Sequence, residues 1–308
     1  MNIQGKKYMS DFEAKNAIIE IGKRMYQKGF VAANDGNISC KVGPNTIWTT
    51  PTGVSKGFMT QNMLVKMDMN GKVLMGSMKP SSEIKMHLRV YEENPELMAV
   101  THAHPPVATS FAIAGISLEK AVLPEAVVQL GSVPIAHYAT PGSQAVPDSI
   151  APYCKTHNGC LLANHGALSW GKDVFEAFFR LESMEYYATI LMYTGNIIGR
   201  QNELSCDQVQ ELLTIREKLG IKGGGTPPCK VTTGSAAAVP QGVTKPQGLT
   251  ALVRPQDNKE IGCGCFGTVI SRTETSTGTK EMDGKLKEDM IAEVVRRVTE
   301  QVTKIRSE

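Results

Sequence analysis

Three histidines stand where their side chains could converge on one metal ion. His102 and His104 form a His-x-His pair at the end of an apolar segment, residues 97–104, that predicts a buried strand. Side chains two positions apart on a strand point to the same face of the sheet. His165 follows a second apolar segment, residues 160–163. Three imidazoles with one open position are typical of a catalytic zinc site, although a His-x-His pair is also often structural.

A carboxylate and two hydroxyls stand at the predicted start of a helix. Ser81, Ser82 and Glu83 follow Pro80, and the helix should end before Pro95 because the residue preceding a proline resists the α conformation. The unpaired N–H groups and partial positive charge of a helix N-terminus suit a phosphate. A carboxylate beside a metal can act as a ligand or as a general base. The same residues would also serve as an ordinary helix cap.

Two glycine-containing turns, Gly36-Asn37 and Thr52-Gly53, could add donors to such a phosphate cradle, or they could be turns and nothing more. A cradle built from amides and hydroxyls agrees with a net charge of only +3. The other three histidines lack comparable settings, and we interpret them as structural or surface residues: His87, His137 and His157.

The elements that must position these residues are also marked in the sequence. Ser10 with Glu13 and Ser205 with Gln208 are capping boxes that predict helix starts, and Asp173 should cap a long helix to about residue 193. Short strands are predicted where apolar residues are bounded by turn residues, with a hairpin at Asn70-Gly71, over residues 38–42, 46–50, 63–69, 72–75 and 167–170.

The composition excludes several classes of protein. Of 308 residues 41% are hydrophobic, and the near balance of charge argues against a nucleic-acid-binding protein. There is no apolar run long enough for a membrane span and no signal-peptide core at the N-terminus. Seven cysteines at irregular spacing do not form a disulfide framework, which favours a reducing cytoplasm. Cys263 and Cys265 are interpreted as small residues of a loop, with a metal or redox pair as the alternative.

The chain divides by composition into three parts. Residues 1–222 carry the periodic patterns of a folded catalytic domain, whereas residues 223–260 are rich in Gly, Pro, Thr and Ala and predict a flexible linker. Residues 261–308 form a C-terminal extension, in which apolar residues at helical spacing predict an amphipathic helix over 285–305.

The order of these motifs resembles the class II aldolase/adducin family. The resemblance covers about residues 9–220 and rests on five ordered motifs, Gly36-Asn37-Ile38-Ser39, Thr50-Pro51-Thr52-Gly53, Pro80-Ser81-Ser82-Glu83, His102-Ala103-His104 and Asn164-His165-Gly166. It implies a three-layer α/β/α sandwich around a mostly antiparallel sheet, assembled as a homotetramer. It also implies one Zn²⁺ per subunit on the three histidines, Glu83 as the catalytic acid/base, and a phosphate site formed by Asn37, Thr52, Gly53, Ser81 and Ser82.

The implied reaction is aldol cleavage of a ketose 1-phosphate, such as L-fuculose 1-phosphate, to dihydroxyacetone phosphate and lactaldehyde. Tyrosines that the family uses at the aldehyde end are missing from residues 123–125 and 216–220, and the role of Tyr138 stays open. The alternatives are a ketose-phosphate dehydratase, a 4-epimerase, which typically has Asp where Glu83 stands, and a non-catalytic adducin-like binding module.

The C-terminal extension resembles the encapsulation peptides of bacterial microcompartment enzymes, which implies a shell or cargo partner and a location inside such a compartment. Docking of the helix on its own tetramer is the alternative. Residues 261–308 carry eight basic and eight acidic side chains, so adsorption to a membrane is not expected.

Overall fold

The computed structural model describes residues 8–229 of the chain. Seven α-helices lie within this range: α1 (Asp11–Gln27), α2 (Ile84–Glu93), α3 (Pro106–Ile113), α4 (Pro124–Gln129), α5 (Ala145–Ile150), α6 (Val174–Met192) and α7 (Cys206–Lys218). The same residues form eight strands: β1 (Asn37–Gly43), β2 (Thr46–Thr49), β3 (Val65–Asp68), β4 (Val73–Met75), β5 (Ala99–Ala103), β6 (Ile135–Ala136), β7 (Gly159–Leu162) and β8 (Gly166–Gly171).

The predicted helix starts are confirmed by their caps. Ser10 Oγ accepts a hydrogen bond from the backbone of Glu13, whose carboxylate accepts one from the backbone of Ser10 in return. Ser205 and Gln208 make the same reciprocal pair at α7. Asp173 accepts from the backbone of the third residue of α6. Each cap satisfies N–H groups that the helix itself leaves unpaired.

The strands form one sheet in the order β4-β3-β2-β1-β5-β8-β7-β6. Every neighbouring pair is antiparallel except β6 and β7, which confirms a mostly antiparallel sheet. The register pairs His102 of β5 with Asn37 of β1 on one side and with Leu168 of β8 on the other. One predicted metal ligand and one predicted phosphate residue are therefore neighbours at the centre of the sheet.

Helices cover both faces of the sheet, as the three-layer prediction requires. Alternate residues of a strand face opposite sides, and the chain has one apolar core on each side. One core includes side chains of α1, α3 and α6, whereas the other includes those of α2 and α5. In β5, Ala99 and Ala103 belong to the first core and Val100 to the second, so His102 lies on the α2 side.

The start of the predicted linker differs from the expectation. The guanidinium of Arg216 donates to the carbonyls of Gly223 and Gly225, and the carbonyl of Gly224 accepts from the backbone of Ser132. A disulfide joins Cys206 to Cys229. Residues 223–225 thus pack on the core through their backbone groups, and Cys229 is tied to α7 by a disulfide that irregular spacing did not reveal. The rest of the linker, the extension 261–308 and Cys263 and Cys265 lie outside the described residues.

Candidate metal centre

The three histidines converge at one end of the central strands. His102 is on β5, His104 directly follows it, and His165 lies in the turn between β7 and β8. Asn164 adopts a left-handed conformation with φ 58°, which makes this turn tight. The ligand nitrogens of the three rings all lie within 4.8 Å of one another. The structure therefore brings together the three residues that the sequence predicts as metal ligands.

The rings of His102 and His104 are each oriented by a partner of Nδ1, which leaves Nε2 available to bind a metal. His102 Nδ1 lies 2.9 Å from the carbonyl of Ala167 and must donate to it, and His104 Nδ1 lies 3.4 Å from the carboxylate of Asp35. The Nε2 atoms of both histidines are buried and have no hydrogen-bond partner. Buried polar atoms are normally paired, so two orphaned imidazole nitrogens facing one point fit a metal ion.

Burial keeps the imidazole of His102 neutral. The side chain of His102 is fully buried, and desolvation lowers its pKa to about 3 against the opposing effect of Glu83. Burial and the neighbouring His165 also lower the pKa of His104, although Asp35 and Glu83 act in the other direction. A neutral imidazole has the free electron pair that metal binding requires.

Glu83 is the residue just before α2, and its carboxylate points toward the histidines. Its oxygens lie 3.1 Å from His165 Nε2 and 3.5 Å from His102 Nε2, and Asn37 Nδ2 donates to it at 2.8 Å. Burial opposes ionisation of Glu83, but the neighbouring histidines and the Asn37 hydrogen bond outweigh it and hold the pKa below its usual range. The predicted acid/base thus stands beside the predicted metal ligands as a carboxylate.

The predicted phosphate residues fall into two groups. The turns at 50–53 and 79–83 lie side by side, joined by a bridge between Pro51 and Pro80, and Thr52 and Ser82 are exposed on them. Gly53 has φ +73°, and Ser81 Oγ is buried and accepts from the backbone of Glu83. Asn37 differs from the group: its amide is buried and is already bonded to Glu83 and His87.

Three residues near the site were not predicted from sequence. Asp35 contacts His104, and His87 is buried and bonded to Asn37, although we interpreted it as structural or surface. Lys56 is buried and donates to the carbonyls of Asn34 and Val54, which joins the turn before β1 to the Thr52-Gly53 turn. Burial lowers the pKa of Lys56 to about 8 against the opposing charges of Asp35 and Glu83. Only His87 had a signal, because it stands four residues after Glu83 on one helix face.

The chain is similar to known proteins in both sequence and fold. Residues 16–192 match the family described as Class II Aldolase and Adducin N-terminal domain. A 3-oxo-tetronate 4-phosphate decarboxylase of Pectobacterium atrosepticum is 28% identical over 207 residues, which cover 66% of this chain and 94% of the relative. An L-fuculose phosphate aldolase of Methanococcus maripaludis is 32% identical over 179 residues, covering 58% and 96%. A solved L-fuculose 1-phosphate aldolase superposes with a TM-score of 0.63 at 29% identity, covering 70% of this chain and all of that one.

Proposed function

The chain belongs to the class II aldolase and adducin family, and on this premise we propose that it is a zinc-dependent aldehyde-lyase. The substrate we propose is a ketose 1-phosphate such as L-fuculose 1-phosphate, cleaved to dihydroxyacetone phosphate and lactaldehyde. The observation that supports this most is the group of three histidines with a carboxylate, Glu83, 3.1 Å from the ring of His165.

His102, His104 and His165 would hold the ion, since their donor set and the orphaned Nε2 atoms suit a divalent metal with one position open to substrate. When bound, Zn²⁺ supplies a Lewis acid that polarises the substrate carbonyl. The carbonyl of Ala167 orients the ring of His102 and the carboxylate of Asp35 orients the ring of His104, so these two ligands would be preorganised for the metal.

Glu83 would carry the proton of the reaction. Breaking the C3–C4 bond of the ketose requires one proton to leave the C4 hydroxyl, where an aldehyde forms, and one proton to reach C3 of the enediolate that remains. A group that starts as a carboxylate can accept the first proton and return it to C3. The lowered pKa of Glu83 agrees with that starting state.

The adjoining turns would hold the phosphate. Thr52 and Gly53 lie in one of the two paired turns and Ser81 and Ser82 in the other, and hydroxyls and backbone amides in such turns suit an anion. Asn37 would reach a phosphate only by giving up its contact with Glu83 or His87.

A second candidate reaction is decarboxylation of a 3-oxo acid phosphate, which the relative from Pectobacterium atrosepticum favours. Loss of carbon dioxide from 3-oxo-tetronate 4-phosphate leaves the same enediolate as aldol cleavage does. The histidines would serve both reactions, but decarboxylation takes no proton from the leaving group, so the proton that reaches the enediolate carbon would come from water, with Glu83 passing it on.

The test is a coupled assay of the purified chain with L-fuculose 1-phosphate, L-rhamnulose 1-phosphate and 3-oxo-tetronate 4-phosphate, each with and without a chelator. Release of dihydroxyacetone phosphate from a ketose 1-phosphate, abolished by the chelator and restored by Zn²⁺, is the expected result. Release from the oxo acid alone would establish the decarboxylase instead. A dehydratase or a 4-epimerase would consume substrate without forming dihydroxyacetone phosphate. The adducin-like alternative predicts no turnover and a metal content that His102→Ala leaves unchanged.

We also propose a homotetramer, for which the exposed side chains Phe179, Tyr186 and Tyr193, seven residues apart along one face of α6 and its extension, offer an apolar stripe. Light scattering of the wild type and of Tyr186→Glu tests this, and an unchanged mass would argue against the stripe.

Docking of residues 285–305 on a microcompartment shell or cargo protein stays a proposal from sequence, tested by whether the segment recruits a fused reporter. No helix among residues 8–229 has the length and apolar character needed to cross a membrane.

A further inference from the structure

A continuous series of hydrogen bonds leads from the interior of the α2 layer to the carboxylate of Glu83. Tyr91 Oη lies 2.8 Å from Ser39 Oγ, which lies 2.8 Å from His87 Nδ1. His87 Nε2 lies 2.5 Å from Asn37 Oδ1, and Asn37 Nδ2 donates to Glu83 at 2.8 Å. We infer that His87 is a positioning residue, which fixes the amide of Asn37 and through it the carboxylate of Glu83.

The sequence spacing makes this arrangement possible. Glu83, His87 and Tyr91 are four residues apart, so they occupy one face of α2. Asn37 and Ser39 are two apart on β1 and point to the same side of the sheet. A helix face and a strand face with matching polar positions are packed together here. All the members except Glu83 are almost completely buried, as Asn37, Ser39, His87 and Tyr91 show exposures of 0–2%.

Only one direction of donation is consistent along the series. Asn37 Nδ2 lies 2.8 Å from Glu83 Oε2 and Asn37 Oδ1 lies 2.5 Å from His87 Nε2, so the NH₂ group of Asn37 donates to the carboxylate and its carbonyl accepts from the ring. His87 must then carry its proton on Nε2 and accept on Nδ1 from the hydroxyl of Ser39. Ser39 has no second proton, so Tyr91 donates to it. Burial lowers the pKa of His87 to about 3, which agrees with a neutral ring.

The consequence concerns the orientation of an amide. The two ends of an asparagine side chain are nearly equal in size, so shape alone does not decide which end meets Glu83. The Nε2–H of His87 decides it, because the opposite orientation would set a carbonyl against a carboxylate and two donors against each other. Without that donor, Asn37 loses its fixed orientation, and Glu83 loses the hydrogen bond that aims it at the histidines.

The proposed role rests on the proposed function for its kinetic consequence, but it also has a consequence for metal binding. The test uses the full chain. His87→Asn has an amide too short to reach Asn37, whereas His87→Gln places an amide donor near the position of Nε2. His157→Asn is the matched control, because His157 is half-buried, bonds to Thr156 and takes no part in the site.

Two measurements are made on each variant. With the best substrate, His87→Asn should lower kcat at least tenfold with KM within threefold, and His87→Gln should recover most of the loss. In Zn²⁺ competition with a chromogenic chelator, Glu83→Gln and His87→Asn should each weaken binding, at least fivefold and threefold respectively. The double variant should match Glu83→Gln within twofold, because a residue that acts only through Glu83 adds nothing once Glu83 is changed.

Additive effects in the double variant, equal losses in His87→Asn and His87→Gln, or an unchanged metal affinity in His87→Asn would each overturn the proposal. If the wild type turns over none of the substrates, the proposed function fails, and the chelator measurement still decides the role of His87. If His87→Asn does not fold, Ser39→Ala takes its place, since it removes the hydroxyl that keeps the His87 proton on Nε2. Unchanged metal affinity in a folded Ser39→Ala protein would then count against the proposal.

Discussion

The contact between Asp35 and His104 predicts how one acidic side chain affects metal affinity. Asp35 Oδ2 lies 3.4 Å from His104 Nδ1, while the Nε2 atom of the same ring faces the other two histidines. A carboxylate on the outer nitrogen of a ligand imidazole orients the ring and increases its electron donation to the metal. Asp35→Asn keeps the size of the side chain and removes the charge, so it isolates this effect.

The magnitude follows from the exposure of the contact. Outer partners of metal-bound histidines typically change affinity by about 10- to 100-fold. The side chain of Asp35 is 43% exposed, so water screens its charge, and a distance of 3.4 Å makes a weak hydrogen bond. We therefore expect an effect at the lower end of this range: Asp35→Asn should raise the Zn²⁺ dissociation constant about tenfold, which is about 1.4 kcal/mol of binding free energy. The corresponding partner of His102 is the buried carbonyl of Ala167, which no side-chain substitution removes.

The assay is competition for Zn²⁺ against a chelator of known affinity at pH 7.5, with Asp148→Asn as the control. Asp148 is also an exposed carboxylate with one ionic partner, Arg89, on the surface. The control should bind Zn²⁺ as the wild type does. A dissociation constant for Asp35→Asn within twofold of the wild type would refute the reasoning, because it would mean that His104 needs no outer partner.

Three further predictions concern stability, each measured by urea unfolding. The pKa of Lys56 falls to about 8 from 10.5, so between these pH values the unfolded chain binds a proton that the folded chain has lost, and stability must rise with pH there. Relative to Lys56→Met, the wild type should gain about 1.5 kcal/mol between pH 8 and 9.5, and a pH-independent difference would contradict this. Gly22→Ala should cost about 1–3 kcal/mol although alanine favours helices, because its Cβ would lie 2.6 Å from the carbonyl of Lys56; a stabilised variant would show that the contact relaxes. Reduction of the Cys206–Cys229 disulfide, which closes a loop of 23 residues' separation, should lower the free energy of unfolding by about 3 kcal/mol in the wild type and leave a Cys206→Ser variant unaffected.

The convergence of the site could be predicted because it follows from regular geometry. His102 lies on β5 and His104 directly follows it, so strand alternation predicts that both point to one side, and the tight turn at His165 returns the chain to the neighbouring strand. The position of Glu83 at the start of a helix could be predicted from the proline before it and the helical pattern after it. In the structure it is the residue just before α2 and does not lie in the first turn. Periodicity and turn residues contain this information locally.

The supporting residues could not be predicted because their partners are distant in sequence and irregular in structure. Asp35 and Lys56 lie outside the regular elements of the sheet layer, in a turn and a short helical segment, where no periodicity shows which way a side chain points. The packing of residues 223–225 depends on Arg216. Its guanidinium donates to the carbonyl of Val128, which precedes it in sequence, and to the carbonyls of Gly223 and Gly225, which follow it. Composition alone indicated a linker there, because glycine and proline interrupt helices and strands but do not show which partners fix the backbone.

The reaction depends on the part of the substrate that leaves. Aldol cleavage and decarboxylation of a 3-oxo acid both place an electron pair on the carbon next to a polarised carbonyl, and both leave the phosphate on the same fragment. In the proposed reaction the His102, His104 and His165 group and the Thr52-Gly53 turn would act on that common fragment, and Glu83 would return a proton to it. Substitution of the histidines or of the Thr52-Gly53 turn should therefore impair either reaction about equally, whereas Glu83 would take a proton from the leaving fragment in aldol cleavage alone. Discrimination requires substrates that share this fragment and differ only in the leaving group, which is why the assay compares a ketose 1-phosphate with an oxo acid phosphate.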